Sequence, residues 1–201
     1  MDDAWLIALA ASPWLYLVLF LLVVGDAFLV ILPSETAVVT LGALWASTGH
    51  PNVGLILAVA ALGAVAGDCA CFFIGRRVGL DRWAWQSRGR IGFAIGRVRE
   101  TILERTAVLV FTARYIPFAR IAVNLTAGAA GVSPRRFIPL SSVAGLSWAI
   151  YNVAVGALFG AMMPETPLLA IVCSIAVAMV VGFGVDSVIR LASRSKVRNS
   201  P

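Results

Sequence analysis

Apolar residues dominate six stretches of the chain, Ala4–Leu32, Ala37–Ala46, Val53–Ile74, Ala107–Val132, Phe137–Met162 and Leu168–Ile189, divided by short polar or proline-containing segments. A helix needs about 20 apolar residues to cross a bilayer. The first stretch exceeds one crossing and is interrupted by Asp26, which predicts a helix over roughly 6–25 and a break at Gly25-Asp26. Val53–Ile74, Phe137–Met162 and Leu168–Ile189 each predict a full span, the last two separated by the turn Met163-Pro164-Glu165-Thr166-Pro167. Ala37–Ala46 is too short to cross. It follows Pro33-Ser34-Glu35-Thr36, where Pro33 cannot continue a helix and Ser34 or Thr36 could cap a new one, and it ends in the loop Ser47–Asn52. Ala107–Val132 is divided in the same way by Arg114, Pro117 and Arg120. Two short apolar limbs around a proline break predict a re-entrant hairpin, whose irregular backbone is tolerated at membrane depth only inside protein or against a wet cavity.

The placement of charge supports the hairpins. Arginines are dense over residues 76–105 (Arg76, Arg77, Arg82, Arg88, Arg90, Arg97, Arg99 and Arg105), recur at Arg135 and Arg136, and return with Lys196 in the tail at Arg190, Arg194 and Arg198. If 107–132 crossed the membrane, the later clusters would lie outside, against the positive-inside bias. If it dips and returns, every basic cluster lies inside, both termini are cytoplasmic, and the loop 47–52 is external. Residues 76–105 also carry Trp83, Trp85, Ile91, Phe93 and Ile95, the make-up of an amphipathic segment lying in the cytoplasmic interface. The acidic start, Asp2 and Asp3, is unlike a secretory signal, so the first apolar run is expected to be a retained anchor.

These elements define a single membrane domain, 1–201. Repeat 1 covers about 26–75, the linker 76–105, repeat 2 about 106–162, then a C-terminal span 168–189 and a basic tail 190–201. A faint echo at about eighty residues, Pro33 with Pro117, Pro51 with Pro134 and Gly63 with Gly145, suggests an inverted repeat with its two hairpins meeting near the midplane. The expected fold is an all-α polytopic membrane protein with two opposed re-entrant hairpins and about four full transmembrane helices.

Composition agrees, with 60% hydrophobic residues, 13% charged and a net charge of +6, where a soluble domain would be roughly 45–50% apolar and 25% charged. Arginine clusters beside apolar spans face anionic lipid, which makes nucleic acid a poor partner. Cys69, Cys71 and Cys173 lack metal or disulfide spacing, and the single histidine, His50, sits in a loop. No cofactor, metal site or catalytic residue is therefore expected.

Candidate chemistry lies in the charges at membrane depth. An arginine there costs at least ~2.5–3.5 kcal/mol on insertion scales and needs an anion, water or a carboxylate. Arg114 and Arg120, six residues apart across Pro117, would not share a face of one unbroken helix, but a break there could fold both to one point. Guanidiniums bind phosphate bidentately, which makes the pair a candidate lipid-phosphate site. The alternative is a static lock in which they pair permanently with Asp26 and Glu35. Asp26 and Glu35 could carry a proton, or Glu35 could simply cap a half-helix beside Ser34 and Thr36. Asp68 faces either the cavity or a structural arginine. Asn124, Thr126 and Asn152 could hydrogen-bond a headgroup or join helices.

Asp26 ahead of Pro33-Ser34-Glu35, Gly67-Asp68 with Gly75-Arg76 and Gly79, Phe111 through Arg120, Ala127-Gly128 through Arg136-Phe137, and Trp148 with Gly156 and Gly160 follow one another in the order and spacing of a known family. Over roughly residues 20–160 the chain resembles the DedA family of bacterial membrane proteins, also called the SNARE-associated or VTT-domain family. The resemblance implies a multi-pass protein of the bacterial cytoplasmic membrane with two opposed re-entrant hairpins. It also implies transport of lipid phosphates, by recycling of a polyprenyl-phosphate carrier or phospholipid scrambling, often dependent on proton motive force. The family's acidic pair falls on Asp26 and Glu35 and its arginine pair on Arg114 and Arg120. Asp26 stands where glutamate is commoner, and Phe72 where tyrosine is common.

The expected partners are membrane lipids and a lipid-linked phosphate; a homo-oligomer is compatible with such a chain. Two other function classes stand beside the flippase: a proton-coupled exporter of small cations or drugs, and a membrane enzyme acting on lipid phosphates, which would need a nucleophile and general acid.

Overall fold

The structure, a computed structural model, describes residues 12–29, 33–79, 89–114, 116 and 118–162. Pro117, the expected break of the second hairpin, and the expected span 168–189 with its basic tail lie outside the described residues, as do Glu165, Asp186 and Cys173.

Six helices and no strand are found among the described residues. Helix α1, Pro13–Asp26, starts where Pro13 supplies a helical φ and Ser12 Oγ accepts from the Trp14 N–H at 3.4 Å. Helix α2, Ser34–Thr48, has Pro33 in its N-cap position and no side-chain cap. Neither Ser34 nor Thr36 caps it: the chain turns at Pro33, so Ser34 is already the first helical residue. It runs past Ala46 and stops at Gly49, whose φ of 77° is cheap only for glycine. Helix α3, Val53–Val78, is capped by Asn52, whose Oδ1 accepts from the Leu55 N–H at 3.2 Å, and places Arg76 and Arg77 at its negative end. Helix α4, Gly89–Ala113, breaks at Arg105 (φ −113°, ψ 26°), where the basic linker gives way to apolar sequence. Helices α5, Ala119–Ala129, and α6, Pro134–Met162, complete the set.

Two halves follow one plan of short helix, left-handed glycine and long helix: α2, Gly49, α3 and then α5, Gly131, α6. Helices α3 and α6 pack against each other in opposite directions, with Ser141 at Asp68 and Gly145 over Ala61 and Ala64. Each short helix makes its main contact with a long helix, α2 with the α6 of the other half and α5 with α3. Glycines set both contacts. A methyl group on Gly128 would meet the Phe72 carbonyl, and one on Gly156 the Val39 carbonyl, so the backbones touch where any side chain would separate them.

The core divides accordingly. One cluster gathers Val23, Val38, Ile56, Trp148 and Val153; the other centres on Phe72, stacked on Phe137 at 4.3 Å between ring centroids, with Val110 and Ala127. Large apolar side chains also face outward, including Trp14, Leu17, Val18 and Leu21 on α1, Leu62 on α3 and Val143, Ile150 and Leu158 on α6. Helices α3 and α6 are long and apolar enough to cross a membrane, and α1 is a shorter apolar helix. An apolar core inside an apolar surface is the profile of a helical membrane protein.

Candidate functional site: two arginines and two aspartates

Asp68 is the hub. On α3, Asp68, Cys71, Phe72 and Gly75 are all buried, at helical spacing along one face, and Gly75 and Gly128 let α5 close onto that face. Asp68 Oδ2 accepts from Arg114 Nη1 at 2.6 Å and from Ser141 Oγ at 2.7 Å. Its Oδ1 accepts from Asn124 Nδ2 at 2.9 Å, with Arg120 Nε 3.9 Å away. Arg120 turns its Nη2 to Asp26 Oδ2 at 3.0 Å. Helices α1, α3, α5 and α6 and the turn after α4 thus converge on one charge-balanced group of two guanidiniums and two carboxylates.

The helix break between α4 and α5 makes this possible. Helix α4 stops at Ala113, Arg114 lies in a turn, and α5 starts at Ala119 after Phe118, whose φ of 64° is strained for a bulky residue. The break aims both arginines at Asp68, which six residues of continuous helix would not do. Arg114 also lies over the Trp148 ring, 5.6 Å from its centroid. The two pairs differ in setting: the Arg114 and Asp68 side chains are 2% and 1% exposed, those of Arg120 and Asp26 13% and 15%.

The remaining candidates fall elsewhere. Glu35 does not join the arginines: it is exposed in the first turn of α2 and has no ion pair among the described residues. There its charge suits the helix's unpaired N–H groups, and Asp68 takes the inner position expected of it. Asp68, expected to face either the cavity or a structural arginine, pairs with Arg114, while Arg76 Nη1 reaches the Val132 carbonyl at 2.9 Å. Asn152 and Thr126 bond within their own helices, to the Trp148 and Ala122 carbonyls, and only Asn124 reaches the network. Phe72, where a tyrosine hydroxyl was in question, is fully buried against Phe137. Ser141 escaped the sequence reading. The signal for it is the buried stripe Ser141, Gly145, Trp148 and Asn152 on α6, at spacings of four, three and four.

The fold and site together define a helical membrane protein with a neutral ion network enclosed among its helices. The family model described as the VTT domain matches residues 32–158, and the chain belongs to this family, the DedA or VTT-domain membrane proteins. The match covers every network residue except Asp26. The chain is similar to an alkaline phosphatase-like protein of Lactococcus lactis, 29% identical over 150 residues (71% of this chain, 69% of that one). It is similar to the protein DedA of Escherichia coli strain K12, 26% identical over 183 residues (84% and 80%). An uncharacterized membrane protein of Mycobacterium tuberculosis strain H37Rv is 30% identical over 142 residues (67% and 64%). No solved structure matches the chain.

Proposed function

We propose that the protein is a flippase that carries lipid-linked phosphates across the bacterial cytoplasmic membrane, recycling a polyprenyl-phosphate carrier or scrambling phospholipids, with protons as the coupled ion and no covalent step. The observation that carries this reading is the partly exposed Arg120–Asp26 pair beside the closed Arg114–Asp68 pair. A lipid phosphate arriving at Arg120 offers the guanidinium two oxygens in place of one carboxylate oxygen. Asp26, displaced, takes up a proton, so the site never holds an uncompensated charge. When the phosphate leaves, Asp26 gives up the proton and returns to Arg120. Arg114 and Asp68 keep their bond throughout and hold α5 in place through Asn124.

In this reading the two halves are an inverted repeat, with α2 and α5 as limbs of re-entrant hairpins from opposite leaflets and both termini cytoplasmic. The opposed directions of α3 and α6 and the crosswise packing of the short helices support it.

The test is a reconstituted assay that follows polyprenyl phosphate and phosphatidylethanolamine across proteoliposomes, with and without a proton gradient. Translocation should quicken with the gradient and fall at least about tenfold in Arg120→Gln, the loss expected for a charge-assisted bidentate contact. An unchanged rate in that variant would sink the proposal. The name of the Lactococcus relative favours a second reading, hydrolysis of a lipid phosphate, and inorganic phosphate released in the same vesicles would establish it. An exporter of soluble cations would leave the lipid where it was.

A further inference from the structure

We infer that a shallow groove between α4 and α5 seats one acyl chain of an anionic phospholipid, with the lipid phosphate at Arg97. The groove is open along one side and offers about 500 Å³. The turn between the helices sets Leu109 beside Ala122 at its inner end, near Arg114 and Arg120, while Arg97 and Thr101 lie beyond Thr126 at the outer end. From Arg97 to the bend at Arg105 the helical rise gives about 12 Å, and beyond the bend the groove continues to Leu109.

Its wall is apolar for a reason. Thr101 Oγ1 donates to the Arg97 carbonyl at 2.8 Å and Thr126 Oγ1 to the Ala122 carbonyl at 2.6 Å, so both hydroxyls are turned back on their own helices. Among the described residues Arg97 is the only charged one lining the groove, and its guanidinium rests over the exposed Phe93 ring, 5.7 Å from the centroid. Further along α4, toward the inner end, Arg105 is exposed and Arg136 bridges from α6 to the Leu103 carbonyl at 3.0 Å. A single hydrocarbon chain fits, and the arginine at the mouth selects an anionic headgroup. Helix α5 is then a shared partition, with Asn124 and Ala127 facing Asp68 and α3 and with Ala122, Val123 and Thr126 facing the lipid.

The inference rests on the transport reading only for the kinship between this lipid and the transported one. The test uses the full chain in nanodiscs with two photoreactive probes, phosphatidylglycerol and phosphatidylcholine, each carrying a diazirine midway along one acyl chain; adducts are mapped by peptide mass spectrometry. Adducts should concentrate on 97–109 and 119–126 above the outer face of α1, with phosphatidylglycerol ahead by roughly fivefold, the contribution of one arginine at a membrane surface. Val123→Trp, which fills the groove, should remove these adducts and leave those on α1. Arg97→Gln, at an exposed position that packing does not depend on, should keep the adducts and erase the headgroup preference. Labelling spread evenly over α1, α4 and α5, equal labelling by the two probes, or a Val123→Trp protein that labels as before would reduce the groove to ordinary bilayer contact and overturn the inference. A labelled groove in a protein that moves no lipid would end the transport reading and leave the groove standing. Translocation with an unlabelled groove would do the reverse.

Discussion

Arg114 and Arg120 carry the same charge, lie six residues apart and approach the same carboxylate, yet they occupy different physical worlds. Arg114 is sealed, with Asp68 at 2.6 Å, Trp148 against its face, and Ser141 and Asn124 completing the carboxylate's shell. Arg120 keeps a looser hold, 3.0 Å to Asp26 and 3.9 Å to Asp68, and part of its surface is open. Removing one partner of a buried pair strands the other charge and costs about 3–5 kcal/mol, whereas an exposed pair is worth about 0–1 kcal/mol. One local motif therefore yields a sealed pair and a more open one, which in the proposed mechanism are a structural pin and an exchangeable arm.

The sharpest way to break the comparison is at the pin. Arg114→Ala or Asp68→Ala should each destabilise the protein by about 3–5 kcal/mol, seen as a large fall in the thermal midpoint of the detergent-solubilised protein. The double variant should cost clearly less than the sum, because neither charge is then stranded. Strict additivity would show that the two residues do not act as a pair. Next in size is Gly128→Ala, whose new methyl meets the Phe72 carbonyl and pushes α5 off α3, a cost of about 1–3 kcal/mol. Since α5 carries both Arg120 and Asn124, that shift should loosen the arm along with the pin, and translocation should fall further than stability does. If stability drops with full translocation, α5 is not what positions the arm.

At the arm the order reverses. Asp26→Asn should cost less than the about 3–5 kcal/mol of the sealed pair, because Asp26 and Arg120 keep some contact with solvent, while removing the response of translocation to a proton gradient. Arg120→Lys keeps the charge but loses the fork that matches a phosphate, so lipid affinity should weaken with little change in the thermal midpoint. A lysine variant that transports normally would return Arg120 to the same static role as Arg114.

Much of this was legible in the residues. Long apolar runs mark α3 and α6, because a bilayer demands length and hydropathy and both can be read directly. The breaks at Gly25-Asp26 and Pro33 and the split of 107–132 were equally plain, since charge and proline interrupt helices for local reasons. What could not be read was partnership. Asp26 and Glu35 look alike in sequence, and only the packing of α5 on α3, set by Gly75 and Gly128, decides that Arg120 meets Asp26 and that Asp68 rather than Glu35 stands behind it. Ser141 was invisible for a related reason: a serine in an apolar helix acquires meaning only from the residue across the interface. The start of α2 shows the limit of local rules. Ser34 has the chemistry of a cap, but Pro33 turns the chain one residue earlier.

The smallest expected effect tests the boundary of the network. Glu35 is exposed at the start of α2 and touches neither arginine, so its charge interacts with the helix end and the surroundings rather than with the pin or the arm. A carboxylate in the first turn contributes about 0.3–1 kcal/mol to its helix, and Glu35→Gln, which keeps the side chain's length, should cost no more than that. If Asp26 alone exchanges a proton for the phosphate, translocation by Glu35→Gln vesicles should keep its full dependence on the proton gradient, in contrast to Asp26→Asn. Loss of that dependence would make Glu35 the second proton carrier. The hairpin end of α2 would then have to approach Arg120 during transport, and the division between pin and arm would describe only one of the states the protein visits.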